Sequence, residues 1–414
     1  MTPLLITNIK ALVGIHSPDK RLLRGNQLAH LPVLENAYLL SENGRIKDFG
    51  SMADLHADTR STCKELDASN KYVLPGWCDS HTHLIFAASR EEEFVMKIQG
   101  KTYEDIAASG GGILNSARKL QKTSEEELFD AAAQRLKEVI RLGTIAIEIK
   151  SGYGLTVEAE LKMLRVIRRL KETSPIPIKA TFLGAHAFPD EFKRHHEGYL
   201  DQLINIMIPG LAGEGLADYI DVFCEKGFFS LSESDRILDC GAKYGLRPKI
   251  HVNQLSVSGG VQLGVKHNAL SVDHLEMLDQ EAISSVASSD TIATLLPSCS
   301  LFLGIPFADA RALISANAVV ALASDFNPGS TPSGNMNLVV SLACIRQKML
   351  PEEAINAATL NGAAAMELSG EVGSIAINKR SNLIITKELP SLPYLPYAFG
   401  SNHIEQVVVN GKIY

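Results

Sequence analysis

Short apolar runs rich in β-branched residues alternate with longer amphipathic stretches through the middle of the chain. Apolar positions repeating every three to four residues predict helices over 124–142 and 156–172, and each opens on Ser or Thr with Glu in its first turn. Eight further runs are predicted as strands, with helical segments between most of them: 73–83, 144–150, 178–186, 219–225, 248–254, 269–276, 291–297 and 318–325. This alternation, over about 280 residues, predicts a (β/α)8 barrel, also called a TIM barrel.

The two ends of the chain follow a different pattern, in which short β-like runs are separated by turn residues. Residues 1–65 contain turns at LRGN and SENG, and residues 371–414 have the pattern of hairpins. Neither end is long enough to form a stable sheet domain by itself. We therefore predict that 1–65 and 371–414 pair into one small β-sandwich beside a barrel formed by 66–370.

Composition and charge narrow the classes of function. The 414 residues are 45% hydrophobic and 21% charged, the profile of a folded protein rather than a disordered one. A net charge of −7 without a dense Lys/Arg cluster argues against nucleic-acid binding, and no apolar run is long enough to span a membrane. Six cysteines without a Cys-x-x-Cys pair, and a start without signal-peptide features, predict reduced thiols and a cytoplasmic protein.

The first predicted strand carries two histidines one residue apart, within VLPGWCDSHTHLIF. Side chains two apart on a strand share a face, so His81 and His83 either point at one metal ion or are ordinary histidines on a solvated strand. Later strands favour the metal, because further polar residues fall at their ends, where barrel enzymes place their chemistry: His186, His251, His274 and Asp325. A ligand set of several histidines and one carboxylate suits zinc or ferrous iron. Such an ion activates a bound water, so this set predicts hydrolysis or hydrolytic deamination.

This set of residues, with sheet segments at both termini, resembles the amidohydrolase superfamily. Within it, the stretches PGWCDSHTHLIFAASRE, IKSGYGL, FLGAHAFP and ASDFNPGS are similar to the imidazolonepropionase family, over nearly the whole chain. The resemblance implies hydrolysis of 4-imidazolone-5-propanoate to N-formimidoyl-L-glutamate in L-histidine degradation, using one zinc or iron ion. It also implies four metal ligands and six substrate-binding residues: His81, His83, His251 and Asp325 for the metal, and Arg90, Tyr153, His186, Asn327, Gly329 and Ser330 for the substrate.

Two positions depart from what many superfamily members have. The fourth strand ends in Cys224–Glu225 rather than in the lysine that bridges two metals elsewhere, and Lys150 ends the second strand, so we expect a single metal. Gln254 stands three residues after His251, where some relatives carry a proton-shuttling Glu. Since glutamine donates or accepts a hydrogen bond but does not titrate, we count Gln254 among the substrate-binding residues.

The acid–base work then falls to Asp325 and His274. We expect Asp325, with a second oxygen free beyond the metal, to act as general base for the water, and His274 to stabilise the charge developing on the carbonyl oxygen. The planar fork of Arg90 suits the substrate carboxylate, and the alternative is a surface ion pair with the glutamates that follow it.

Two other functions stay open from the sequence. One is a different amidohydrolase, such as a purine or pyrimidine aminohydrolase, against which Gln254 argues. The other is a non-catalytic barrel scaffold, which should have lost metal ligands that this chain keeps. We expect a small-molecule substrate and neither nucleic acid nor membrane as partner. The sequence also leaves open whether the metal is zinc or iron and whether the protein is a homodimer. It does not identify the group that protonates the leaving nitrogen.

Overall fold

A computed structural model describes residues 2–101 and 111–414. Its strands form two sheets and are, in chain order, β1 (Leu4–Val13), β2 (Val33–Glu42), β3 (Arg45–Ser51), β4 (Lys64–Asp67), β5 (Lys71–Pro75), β6 (Trp77–Asp79), β7 (Thr144–Lys150), β8 (Ile178–Ala185), β9 (Tyr219–Cys224), β10 (Arg247–Val252), β11 (Ser271–His274), β12 (Ile292–Leu295), β13 (Val319–Leu322), β14 (Leu383–Glu388), β15 (Ile404–Val409) and β16 (Lys412–Ile413).

The α-helices of the described residues lie mostly between barrel strands. They are α1 (Ala57–Ser61), α2 (Glu91–Ile98), α3 (Ile113–Lys122), α4 (Glu125–Arg141), α5 (Val157–Thr173), α6 (His196–Gln202), α7 (Ile208–Gly213), α8 (Leu231–Lys243), α9 (Gly260–Lys266), α10 (Gln280–Ala287), α11 (Pro297–Leu303), α12 (Ala310–Ser315), α13 (Met336–Gln347), α14 (Pro351–Ala358), α15 (Leu360–Ala364) and α16 (Tyr394–Tyr397). Short 3-10 turns span Gly25–Ala29, Met52–Asp54 and Asp190–Phe192, and a π-helical turn spans Leu203–Met207.

The two helices predicted over 124–142 and 156–172 are confirmed as α4 and α5. Ser124 begins α4 with a capping box, since Glu127 N donates to Ser124 Oγ at 3.2 Å and Ser124 N donates to the Glu127 carboxylate at 2.9 Å. Each helix buries one apolar face against the barrel, as its periodicity requires. In the part of the chain that the structure covers, none of the helices has the length and apolarity to cross a bilayer.

Strands β6 to β13 form a parallel sheet in chain order, which confirms the predicted (β/α)8 barrel. The sheet closes just beyond its first and last strands: Asp325 N donates to His81 O at 3.0 Å, and His83 N donates to Phe326 O at 2.9 Å. Asp79 strengthens this seam, because its carboxylate accepts from the backbone N–H of Ser324 at 3.0 Å. The seam therefore holds His81 and His83, two of the predicted metal ligands, beside the third, Asp325.

The predicted strand 73–83 is wrong in its extent, because Gly76 divides it between the two sheets. Residues up to Pro75 pair with β1 and β14, whereas Trp77–Asp79 pairs with β7 in the barrel. A Cβ atom at Gly76 would collide with the side chain of Ile145, so only glycine lets the chain pass this close to β7. The Pro75–Gly76 dipeptide is a local sign of this crossing, but the sequence is apolar on both sides of it and reads as one continuous strand.

The two ends of the chain join into one sheet, as predicted. Its strand order is β16-β15-β14-β5-β1-β2-β3, and β4 also pairs with β1. A separate apolar cluster combines both ends of the chain, with Ile6 and Leu39 from one and Ile385 and Val408 from the other. The sheet includes β5, which lies beyond residue 65, and the division into 1–65 plus 371–414 and 66–370 stays a prediction of the domain boundaries.

Candidate metal centre and active site

Four polar side chains converge at the C-terminal end of the barrel. His81 and His83 follow β6, His251 lies in β10 and Asp325 follows β13, and each is at most 3% exposed. His83 Nε2 lies 3.4 Å from His251 Nε2, and Asp325 Oδ1 lies 3.5 Å from His81 Nε2 and 3.6 Å from His83 Nε2. Ligand atoms of a tetrahedral zinc site with bonds of about 2.0–2.1 Å lie about 3.3–3.4 Å apart, so the spacing fits one metal ion.

The protonation of these groups also fits a metal. Among the described residues the buried His81 Nε2 has no hydrogen-bond partner, and an unpaired buried nitrogen is costly without a ligand. Burial, followed by neighbouring cationic groups, holds the pKa values of His81, His83 and His251 well below the usual range. Neutral imidazole is the form that binds metal ions. The three histidines and Asp325 could therefore hold a divalent cation.

Two buried carboxylates orient the histidine rings. His81 Nδ1 donates to Asp273 Oδ2 at 2.6 Å, and His251 Nδ1 lies 2.9 Å from Asp221 Oδ2. The hydrogen bond to Asp273 keeps the ring proton of His81 on Nδ1 and leaves its Nε2 lone pair directed into the cluster. Asp221 lies beside the corresponding nitrogen of His251 without forming a hydrogen bond to it. Neither aspartate was predicted, although each interrupts an apolar strand, in YIDVFC and SVDH.

A fully buried ionic network lies beneath these carboxylates. Lys150 Nζ is 2.7 Å from Glu148, 2.9 Å from Asp221 and 3.8 Å from Asp273, and Lys249 Nζ is 2.7 Å from Glu148. Burial opposes the charge on Lys150, but the three carboxylates outweigh it and raise the pKa of its ammonium group. Lys150 thus holds both ring-orienting aspartates, a role that its position at the end of a strand did not reveal.

His274 ends β11 in an unusual backbone conformation. Its φ is +88° and that of Leu275 is +67°, values that non-glycine residues adopt only where the surroundings hold them, often at functional sites. Its Nδ1 lies 3.4 Å from Glu276 Oε1, and its ring centre is 5.6 Å from that of His81. Burial opposes protonation, but the carboxylates of Glu276 and Asp325 outweigh it and raise the pKa of His274. The surroundings thus favour the protonated form of His274, whereas they favour the neutral form of the three other imidazoles.

The carboxylate of Asp325 is more constrained than the sequence suggested. Oδ1 faces the histidines, and Oδ2 accepts from the hydroxyls of Ser330 and Thr331 at 3.3 Å each. The expectation of a free second oxygen is therefore wrong, although both hydroxyls can rotate to accept instead. Burial raises the pKa of Asp325 and the neighbouring His274 opposes that rise.

Asn327, Gly329 and Ser330 form a tight turn after Asp325. Asn327 Oδ1 accepts from the backbone N–H groups of Gly329 and Ser330, at 2.8 Å each. Its Nδ2 donates to Asp325 O and to Ser330 Oγ, both at 2.7 Å. In this structure Asn327 therefore shapes the loop rather than leaving its amide free.

Arg90 lies against this turn and satisfies part of both sequence interpretations. Its Nε and Nη2 donate to Glu93 Oε2 at 2.8 and 2.5 Å, so one edge of the fork is ion-paired as the alternative predicted. The pair is not on the surface, because the two side chains are 14% and 8% exposed. Nη1 faces Gly329, where a Cβ atom would collide with the guanidinium. Nη1 is therefore the guanidinium nitrogen nearest the turn, whereas Nη2 is paired with Glu93.

Tyr153 and His186 form one wall of the site. The His186 ring stacks on His83 with centres 5.2 Å apart, its Nδ1 donates to Gly152 O at 3.0 Å, and burial lowers its pKa to about 4. The Tyr153 ring lies 5.8 Å from that of His83, and burial raises the pKa of its hydroxyl. Glu160, which was not predicted, accepts three backbone N–H groups of this glycine-rich loop at 2.7 to 3.0 Å and fixes its path.

Gln254 reaches the same region from the loop after β10. Its Nε2 donates to Cys299 Sγ at 3.4 Å, which brings in a buried thiol that the sequence did not single out. All the residues predicted for the site therefore lie in one region at the C-terminal end of the barrel. Which of them bind metal or substrate stays a prediction at this point.

Comparison with known proteins gives a consistent result. The Amidohydrolase family model matches residues 229–414. The imidazolonepropionases of Christiangramia forsetii and Flavobacterium johnsoniae are each 56% identical, over 410 and 409 residues and 99% of both chains in each case. Of the solved structures, E. coli guanine deaminase has a TM-score of 0.75 at 13% identity, covering 100% of this chain and 99% of its own. An adenosine deaminase from Xanthomonas campestris with bound zinc has a TM-score of 0.69 at 17% identity, covering 99% and 92%. At these identities the two structures indicate a shared fold alone.

Proposed function

The chain belongs to the imidazolonepropionase family, and from this we propose that it hydrolyses the cyclic amide C–N bond of 4-imidazolone-5-propanoate to N-formimidoyl-L-glutamate. The observation that carries the proposal is the buried cluster of three neutral imidazoles and one carboxylate, with the guanidinium of Arg90 against the neighbouring turn. A cytoplasmic location and a homodimer stay predictions.

The residues that would hold the metal are His81, His83, His251 and Asp325. Three nitrogens and one carboxylate oxygen suit zinc or ferrous iron, and their mutual spacing supports one ion shared by these four side chains. Such an ion, when bound, lowers the pKa of a coordinated water toward about 7 and polarises a carbonyl oxygen. Asp273 keeps the His81 ring in the tautomer that this binding needs.

Two side chains are placed to move or hold protons. Asp325 would take the proton of the attacking water, because its carboxylate lies within the cluster where that water would be held. Ser330 and Thr331 can follow that change by rotating their hydroxyls. His274, next to the cluster and with its pKa raised, would donate a hydrogen bond to the ring carbonyl oxygen as negative charge develops on it.

The propanoate of the substrate requires a cationic partner in a site this buried. Arg90 would supply it through Nη1, the guanidinium nitrogen that Glu93 leaves unpaired. Glu93 anchors the other edge, so less freedom is lost when the carboxylate binds. Tyr153 and His186 would contact the ring and side chain of the substrate, and the turn at Gly329 and Ser330 would contact its carboxylate.

Turnover and metal content of the purified protein test the proposal together. Incubation with 4-imidazolone-5-propanoate should bleach its ultraviolet absorbance and yield N-formimidoyl-L-glutamate, and elemental analysis should find about one zinc or iron per chain. Lys266→Met, which removes an exposed ammonium paired with Asp235 far from the cluster, serves as the control and should be fully active. Protein that holds one metal ion but leaves the substrate unchanged would refute the proposed activity.

A further inference from the structure

A second group of metal-binding side chains adjoins the four ligands described above. His274 at the end of β11, Glu276 two residues later and Cys299 in α11 each offer a ligand atom, and these atoms lie within 4.8 Å of one another. All three are buried, with Cys299 fully inaccessible and Glu276 6% exposed. The proposed reaction uses His274 alone among them.

One atom of this group is left without the contact that its burial demands. Glu276 Oε1 accepts from Ser300 Oγ at 3.2 Å and lies 3.4 Å from His274 Nδ1. Glu276 Oε2 is buried and has no hydrogen-bond partner within the described parts of the chain. A carboxylate oxygen removed from water without a donor carries a penalty of several kcal/mol unless a cation meets it. The orphaned oxygen therefore marks a place for positive charge.

We propose that His274, Glu276 and Cys299 form a second site, which binds a thiophilic divalent cation such as Zn²⁺ or Cd²⁺ and thereby inhibits the enzyme. One sulfur, one nitrogen and one carboxylate oxygen select borderline and soft cations over Mg²⁺ and Ca²⁺, which prefer oxygen ligands alone. Binding would release the Cys299 thiol proton and, where His274 is protonated, one of its ring protons to solvent, since the thiolate and the neutral imidazole are the ligands. The thiolate and the carboxylate then carry two negative charges, which match the charge of the ion.

The same chemistry makes this site weaker than the first and inhibitory. An ion must displace a thiol proton and the contact between His274 and Glu276, so the four-residue cluster should fill first. An ion that takes His274 removes the donor assigned to the substrate carbonyl oxygen. This effect on turnover rests on the proposed function, whereas the binding of a second metal ion does not depend on it.

The test measures metal stoichiometry and turnover on the same samples. Holoenzyme with one equivalent of metal is dialysed against rising Zn²⁺ or Cd²⁺, and bound metal, thiolate-to-cadmium charge-transfer absorbance and initial rates are recorded. We expect a second equivalent, the absorbance band, and loss of turnover in parallel. Cys299→Ser should weaken binding of the second metal ion by about 10–100-fold or more, since loss of an outer-sphere partner alone has that cost. The same variant should lack the charge-transfer band.

Cys63→Ser is the matched control, because Cys63 is a partly exposed thiol in the terminal segment, and it should behave as wild type. Glu276→Gln provides a second variant, which keeps the shape and removes the charge, and it should also weaken the second equivalent. The proposal is overturned if wild type binds only one equivalent, or if Cys299→Ser binds the second as tightly as wild type does. An enzyme that binds two equivalents without turning over imidazolonepropanoate at one would refute the proposed function instead.

Discussion

Replacing Lys150 by methionine tests whether the buried ionic network sets metal affinity. Methionine keeps much of the volume of lysine and removes its charge. The change leaves Asp221 and Asp273 without the ammonium group that now lies 2.9 Å and 3.8 Å from them, and leaves Glu148 with Lys249 alone. Both aspartates contact rings of proposed metal ligands, so their response should reach the cluster.

Two magnitudes follow from this geometry. Removing one partner of a fully buried ion pair costs about 3–5 kcal/mol, because the remaining charges stay desolvated. A chain with a stability of about 5–15 kcal/mol should survive that loss but melt at a clearly lower temperature. The aspartates would relieve their own penalty by taking up protons or turning away, and loss of such outer partners weakens metal binding by about 10–100-fold.

The assay separates the two effects by pairing Lys150→Met with Lys249→Met. Lys249 belongs to the same network and is equally buried, but its Nζ contacts Glu148 and the carbonyls of Ser80 and Ala365. Its charge also acts on Asp273, so the two variants differ in the direct ion pair with Asp221, which Lys150 makes. Both variants should lose comparable stability in thermal melts of the metal-free protein. Competition against a chelator should show the larger loss of metal affinity in Lys150→Met. Equal metal affinity in the two variants would refute the positioning role of Lys150.

Four further expectations concern single residues. His81→Ala should lose both metal and turnover while it still melts cooperatively, and metal analysis beside a melting curve checks this; full activity would remove His81 from the proposed ligands. His274→Ala should keep one equivalent of metal while kcat falls about 10²–10³-fold, the cost of one oxyanion donor. Steady-state kinetics and metal analysis of the same enzyme sample check this, and loss of the metal would contradict it. Arg90→Lys should raise KM about tenfold or more, because a charge-assisted hydrogen bond contributes about 1.5–3 kcal/mol, and unchanged initial-rate curves would place the carboxylate elsewhere. Burial lowers the pKa of Lys379 to about 8 from 10.5, so between these pH values the unfolded chain binds more protons than the folded chain. The free energy of unfolding should therefore rise with pH across this window, compared with Lys379→Met. Denaturant melts of both proteins at the two ends of the window check the sign.

The strands and the candidate ligands could be predicted because both leave a local signal. A buried barrel strand is a short apolar run, and a polar residue at its end stands out against that background. His251 and His274 are therefore visible in the sequence as soon as their strands are recognised. The crossing at Gly76 carries a weaker signal, the Pro75–Gly76 dipeptide that is typical of loops, but the apolar residues on both sides outweighed it, and the predicted first strand ran across it into the wrong sheet.

The supporting residues could not be predicted, because their partners are distant in sequence. Asp273 contacts His81 across 192 positions, and the network reaches Glu148 from Lys249 across the barrel interior. A lysine or aspartate within an apolar strand indicates that a partner exists, but strand order and register decide which partner it is. The pair between Arg90 and Glu93 is the local exception, and it was among the predicted alternatives.

The charges around the cluster explain why one divalent ion suits the first site. Lys150 and Lys249 oppose the carboxylates of Glu148, Asp221 and Asp273, which leaves one net negative charge beneath the imidazoles. Asp325 adds a second negative charge, so one divalent cation would bring the region to neutrality. A well-packed apolar interior would be as stable as this network or more so, and stability alone does not account for five buried charges. Orientation of the ligand rings accounts for them, since Asp273 and Asp221 act on His81 and His251 only while they stay ionised.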